Sequence, residues 1–441
     1  MSVYSFFRIS RPAADQVPEQ EVGPTYRKVR RSTFLGVTIG YSLYYVCRMS
    51  LSVVKQPLID GGVMTAGELG LIGSGLLLIY AFGKFINGFI ADYCNIRRFM
   101  GTGLLFSAFV NLIIAFLGIG VTSFSVSHTT LFFSAVVFWG LNGWFQSMGP
   151  APGVISLSRW FPQARRGTFY SIFCTSPYIG EFISFVLIAA VVGAWGWEWG
   201  FLLAALIGFA GSLLIFLTVK DTPESCGLPS VQRLSGEEMK PEDSMRTLSL
   251  QKRVLRHPGI WIIAASSAFI YITKYAITGW GVLFLQKAKL FSLEKASSII
   301  AVAALVGGLV GTVSAGWISD RLFKGDRMRP ALLSGLLGIV MLSLFLFTGG
   351  GFVLNTVYVA VFNFAMGELY CIVAGLMAID IVPRKATGAA LGVVGVSSYV
   401  AAAVQDIASG YLIQENGSDF TAVSIFWIVA AFLVSLLPVL N

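Results

Sequence analysis

Charge is scarce in this chain. Asp, Glu, Lys and Arg make up 12% of its 441 residues, while 56% are hydrophobic and 14% aromatic. A soluble domain carries about 25% charged residues, and so few could not cover a water-soluble fold of this length. Histidine is nearly absent: His128 and His257 both fall in loops, which excludes an intramembrane histidine relay. The five cysteines, Cys47, Cys94, Cys174, Cys226 and Cys371, are scattered, with no metal-ligand spacing and no disulfide pattern. No Walker loop, kinase signature, zinc spacing or hydrolase elbow occurs, so neither an enzyme nor an ATP-driven pump is supported, and no cofactor or metal is expected. The first 32 residues are polar and contain proline, without the short apolar core and cleavage site of a removed signal peptide.

What the sequence does contain is apolar runs of about 20 residues or more, each long enough to cross ~30 Å of hydrocarbon. Twelve are expected: 33–54, 67–91, 99–119, 130–149, 167–193, 199–219, 258–285, 294–318, 329–348, 353–378, 387–412 and 420–440. Period-2 alternation is missing, so the spans are helices rather than barrel strands. The chain is expected to be an all-α membrane protein.

Lys and Arg are distributed very unevenly between the two sides. With the N-terminus inside, 24 of the 31 lie in inner segments, four on the other side (Lys55, Lys287, Lys289 and Lys295) and three within spans. That bias predicts both termini in the cytoplasm. The net charge of +9 then reflects topology and contact with the lipid surface, with no indication of nucleic-acid binding.

The least hydrophobic interior stretch, 220–257, divides the chain into a bundle over 1–219 and another over 258–441, six spans each. An internal repeat relates them. Gly88-Phe-Ile-Ala-Asp92 followed by Arg97-Arg98 matches Gly316-Trp-Ile-Ser-Asp320-Arg321 followed by Gly325-Asp-Arg327, at an offset of 228. Tyr45-x-x-Arg48 matches Tyr271-x-x-Lys274 at 226. Two pseudo-symmetric six-helix bundles with a site between them near mid-depth describe the major facilitator architecture. The Gly-x-x-x-Asp turns would sit at helix ends, so Asp92, Arg97, Arg98, Asp320, Arg321 and Arg327 are expected to latch one conformation.

Charges inside spans are costly, at least about 2.5–3.5 kcal/mol each at the centre of a lipid-facing helix. Arg48, Lys84, Lys274, Glu181, Glu368 and Asp406 fall there. They are expected to converge on one water-accessible cavity in which Arg48 and Lys274, one from each half, grip an anion. The competing reading pairs Arg48 with Glu181 and Lys274 with Glu368. Aromatic residues fall on the same faces. Tyr41, Tyr45 and Arg48 are spaced i, i+4, i+7; Tyr80 and Lys84, i, i+4; Tyr271 and Lys274, i, i+3. Trp144 and Tyr399 are further candidates.

Beyond architecture, several segments resemble the organophosphate/phosphate antiporter family of the major facilitators. They are Tyr44-Tyr45-Val-Cys-Arg48, Tyr80-Ala-Phe-Gly-Lys84-Phe, Gly143-Trp144-Phe-Gln-Ser-Met-Gly149, Asp221-Thr-Pro-Glu-Ser-Cys-Gly-Leu-Pro229 and Pro383-Arg-Lys-Ala-Thr-Gly388. The resemblance implies exchange of a sugar phosphate, such as glucose 6-phosphate, for inorganic phosphate by a monomer in the bacterial inner membrane. It also implies that Arg48 and Lys84 are substrate-binding cations and that Tyr41, Tyr45, Tyr80, Trp144, Tyr271 and Tyr399 are cavity aromatics. The departures are Lys274 where the family has a second arginine, Ser176 in place of a histidine, and Gly279 in place of an aspartate. Glu181, Glu368 and Asp406 are added, which would bring the interior charge near zero. A membrane sensor of external hexose phosphate and a proton-coupled symporter of another organic anion, a uronate or phosphonate, are the alternatives.

Overall fold

The computed structural model describes residues 3–91, 93–124, 127–162, 169–170, 172–235, 255–324, 326–378, 381, 387–416 and 419–436. Before the linker run α1 (Val3–Phe7), α2 (Glu19–Asp60), α3 (Ala66–Ala91), α4 (Ile96–Phe124), α5 (His128–Ser147), α6 (Pro150–Trp160), α7 (Ser176–Trp195) and α8 (Trp197–Thr218). After the short α9 (Val231–Ser235) come α10 (Pro258–Lys287), α11 (Leu293–Ala303), α12 (Leu309–Trp317), α13 (Met328–Phe347), α14 (Phe352–Cys371), α15 (Thr387–Asn416) and α16 (Thr421–Leu436). No strand occurs among the described residues; one isolated bridge joins Arg8 to Cys94. Nine of the described helices are long and apolar enough to cross a membrane. Together with α2, α5 and α16, described helices fall within each of the twelve expected spans, of which residues 167–168, 171 and 437–440 lie outside the described residues.

Local sequence explains where helices start and bend. The side chain of Ser127 accepts from Thr130 N at the start of α5, and that of Ser292 accepts from Lys295 N at the start of α11. Pro177 occupies the first turn of α7, where a missing N–H costs nothing. Gly196 alone joins α7 to α8 at φ 105°, a conformation open essentially to glycine. Three π turns occur in the second half: Ala304–Gly308 between α11 and α12, Ile318–Leu322 at the end of α12 and Ile372–Met377 at the end of α14. At the first, Gly307 and Gly308 let the backbone meet α14 and the Tyr178 ring without a side chain between.

Helix contacts across the two halves are α3 with α15, α7 with α11 and α2 with α10. Within the first half, buried amides fix the rotation of α2. Asn111 and Asn142 donate to Cys47 O at 3.0 and 3.1 Å, Gln146 donates to Tyr44 O at 3.0 Å, and Tyr44 Oη donates to Met100 O at 2.6 Å. Side chains on opposite faces of α2 are thereby sorted: Tyr44 faces α4 and Cys47 faces α8, where its Sγ donates to Ala204 O, while Tyr41, Tyr45 and Arg48 face the centre of the molecule.

At the linker end, the end of the bundle nearest the 220–257 segment, one carboxylate gathers three partners. Asp221 accepts from Ser10 N (2.7 Å), from Ile96 N at the start of α4 (3.0 Å) and from Arg159 Nη1 (2.5 Å). The expected latches are less informative. Asp92 and the side chain of Asp320 lie outside the described residues. Arg97 is partly exposed and Arg321 exposed. Arg98 donates to Phe6 O at 2.7 Å, and Arg327 donates to Ser319 Oγ at 2.7 Å. A hydrogen bond involving a charged group contributes about 1.5–3 kcal/mol, with incomplete additivity. Asp221→Ala should therefore destabilise the detergent-solubilised protein by about 2–4 kcal/mol in unfolding measurements. A change under about 0.5 kcal/mol contradicts the clasp.

Candidate functional site

A cavity of about 480 Å³ fills the linker-end half of the space between the two sets of helices. Its walls include Tyr41 and Tyr45 of α2, Tyr80 and Lys84 of α3, Tyr178 of α7, Tyr271 and Lys274 of α10, Thr312 of α12, Tyr370 of α14 and Tyr399 of α15. Lys84 and Lys274 are its cations, and among the described residues no carboxylate lines it. Lys274 Nζ lies 5.2 Å from the Tyr178 ring centroid and 5.4 Å from that of Tyr370, and Lys84 Nζ lies 5.2 Å from that of Tyr399. Both ammonium groups are thus held by aromatic faces, an interaction that supports a cation without neutralising it.

A layer of tyrosines closes the cavity toward the far end. Ring centroids are 4.6 Å apart for Tyr80–Tyr399, 5.0 Å for Tyr271–Tyr399 and 5.3 Å for Tyr271–Tyr370. Tyr271 Oη donates to Tyr370 Oη at 2.5 Å. Behind this layer sits Arg48. Its guanidinium carbon is 4.4 Å from the Tyr80 centroid, 5.5 Å from Tyr399, 5.6 Å from Tyr45 and 5.8 Å from Tyr275. Its Nη2 donates to Tyr275 Oη at 2.8 Å, while Nε is buried without an acceptor. Arg48 lines a second, smaller cavity of about 40 Å³ with Lys55, Tyr275 and Asp406.

The expectation of one shared pocket is therefore corrected. Lys84 and Lys274 line the large cavity, and Arg48 lies one aromatic layer further in, because Tyr45, Tyr80, Tyr275 and Tyr399 enclose its planar group. Neither ion pair of the competing reading forms among the described residues. Glu368 instead accepts from Ser334 of α13. Gly367 is pressed against Gly308 and Thr312, so the next residue, about 100° round the helix, points to α13 and away from the cavity. Asp406 belongs to the far end, where it accepts from Lys55 Nζ at 3.2 Å and from Trp280 Nε1 at 2.5 Å. Glu181, 3% exposed, lies within electrostatic range of both Lys274 and Arg48. Trp144 packs over Gly83 of α3 and does not line the cavity.

Four participants were not anticipated. Tyr275 lies four residues after Tyr271 on the same face, a spacing that could have disclosed it. Tyr178 hydrogen-bonds Thr312 across the halves (2.8 Å), and Tyr370 caps Tyr271; nothing in the sequence distinguishes either from a packing tyrosine. Lys55 falls inside α2 because that helix continues to Asp60, six residues past the expected end of the span.

Known proteins agree with this architecture. The model of the Major Facilitator Superfamily matches residues 37–404, and the chain belongs to that superfamily. Its relatives then narrow the group. A glycerol-3-phosphate transporter of Bacillus subtilis is 32% identical over 88% of this chain and 87% of its own. A probable hexose phosphate transport protein of Chlamydia trachomatis is 29% identical over 94% and 92%, and a membrane sensor protein of Salmonella typhimurium is 28% identical over 99% and 97%. Within the superfamily, the chain is a member of the organophosphate/phosphate antiporter family, a multi-pass membrane transport protein and not an enzyme. Among solved structures, an inward-facing, unoccupied bacterial homologue of the human lysosomal transporter Spinster superposes with a TM-score of 0.73, at 16% identity, over 93% of this chain and 97% of that one.

The placement of Glu368 gives a direct check. Glu368→Gln keeps the Ser334 contact and alters no cavity wall, so substrate affinity should stay within twofold of wild type in a transport assay. A shift of tenfold or more would return Glu368 to the site.

Proposed function

We propose that this protein exchanges an organophosphate, specifically a hexose 6-phosphate such as glucose 6-phosphate, for inorganic phosphate by alternating access. The observation that carries this reading is the charge of the large cavity: Lys84 and Lys274, no lining carboxylate among the described residues, and a surround of tyrosine hydroxyls. Near neutral pH a phosphate monoester carries a charge of about −1.5 to −2, which two lysines match. At about 480 Å³ the cavity falls within the size range of small-molecule sites, roughly 300–1,000 Å³. The names of the relatives, glycerol-3-phosphate and hexose phosphate transporters, support the same ligand class.

Lys84 stands on α3 and Lys274 on α10, so an anion between them attracts both halves of the molecule at once. Occupancy then favours the conformation in which they approach, and transport follows from the shift in population. An ammonium is a compact charge on a flexible stem, which accepts phosphates in more orientations than the fixed fork of an arginine. In this reading the moving bodies are residues 1–219 and 258–441, joined by 220–257. The Lys and Arg bias supports a cytoplasmic linker end, and the reading takes a monomer in the bacterial inner membrane as the working unit.

Counterflow tests the reading. Proteoliposomes loaded with phosphate should accumulate labelled glucose 6-phosphate, and Lys84→Met and Lys274→Met should each raise KM at least tenfold, about 1.4 kcal/mol. Absence of phosphate-dependent uptake of any organophosphate, or wild-type KM in both variants, would overturn it.

A further inference from the structure

Away from the large cavity lies a buried cation to which the exchange reading gives no role. Lys55 is 2% exposed, deep between α2, α3, α10 and α15. Its ammonium lies 3.2 Å from Asp406 Oδ1 and 3.4 Å from the centroid of the Trp280 ring, whose Nε1 donates to the same carboxylate oxygen. Asp406 is pressed onto α3: a Cβ at Gly73 would overlap its Oδ2. Gly67 N donates to Gln414 Oε1 (3.0 Å) and Lys287 Nζ pairs with Asp60 (2.6 Å), so the pair lies within a seam that joins the halves at the far end.

Lys55 is seven residues from Arg48, two turns along the same face of α2, and both line the small cavity of about 40 Å³. Arg48 Nε has no acceptor there. The space admits a few waters but not a phosphate. If α2 and α15 part, as alternating access requires, Asp406 leaves with α15 while Lys55 and Arg48 stay together on α2. A buried cation without a counter-ion is costly, and an incoming anion would take the place of the carboxylate.

We propose that Lys55 and Arg48 form an outer anion site, for inorganic phosphate or a phosphate monoester, and that Asp406 is its built-in substitute ligand when the far end is shut. The incoming anion displaces Asp406 from Lys55. Once the anion has passed to Lys84 and Lys274, Asp406 returns to Lys55 and the seam closes behind it. No covalent step is involved; one carboxylate and one phosphate alternate on the same ammonium. This inference rests on the anion-exchange reading above.

The test is phosphate exchange in vesicles of uniform orientation, with KM for phosphate measured separately at the far-end face and the linker-end face. Lys55→Met combined with Asp406→Asn removes both charges and strands neither. It should raise KM tenfold or more at the far-end face and change it less than twofold at the linker-end face. Asp406→Asn alone leaves Lys55 in place and should not raise the far-end KM. Lys55→Arg keeps a cation and should stay within threefold at both faces, which also serves if the double variant does not fold. An unchanged far-end KM or an equal rise at both faces in the double variant, a far-end rise in Asp406→Asn alone, or loss of the far-end site in Lys55→Arg would each overturn the outer site. If the wild type exchanges phosphate and the double variant is unchanged, the inference fails alone. If the wild type exchanges none, the underlying reading fails with it.

Discussion

A cation inside a membrane protein has to find something to stand in for water, and this chain uses three different substitutes. Lys55 has a carboxylate and an indole, a closed arrangement that leaves no charge over. Arg48 has tyrosine rings and one phenolic oxygen, which shield the guanidinium without cancelling it. Lys84 and Lys274 have ring faces on one side and a cavity on the other. Positive charge is thus neutralised at the far end, screened at mid-depth and left available toward the linker, a gradient along the axis that an anion would follow.

The same gradient accounts for the tyrosines. A phenol contributes a face with negative quadrupole to a cation and a hydroxyl to a polar ligand, so it can hold a lysine while the site is empty and contact a substrate when it is full. Carboxylates in those positions would neutralise the lysines outright. Two of the buried helix carboxylates are turned elsewhere, Glu368 to Ser334 and Asp406 to Lys55 and Trp280, while Glu181 stays within electrostatic range of Lys274 and Arg48 without lining the cavity.

Much of this was legible in the sequence, and the failures have a common cause. Hydropathy located the helices, because it depends on long stretches. Helical spacing put Tyr41, Tyr45 and Arg48, and likewise Tyr271 and Lys274, on single faces, because period 3.6 is a local property. The rotation of each helix about its axis relative to its neighbours was not readable. The contact of Gly367 with α12 turns Glu368 toward α13, away from the cavity that Lys274 lines. Trp144 is displaced for a similar reason: Gly143 must meet the Leu76 backbone and Gln146 must reach Tyr44, which leaves the indole over Gly83. Lys55 was read as a loop residue because charge ended the hydropathy window, whereas its pairing with Asp406, 351 residues away, allows the helix to continue.

The central claim is that the unneutralised charge of Lys84 and Lys274 receives the phosphate group, with the tyrosine layer between it and Arg48. Electron cryomicroscopy of the protein with glucose 6-phosphate, supplied at the linker end, tests this most directly. The account predicts phosphate density within hydrogen-bond reach of one or both lysine ammonium groups, on the linker side of Tyr80, Tyr271 and Tyr399. A phosphate bound in the linker-end half of the molecule but away from both lysines would contradict it.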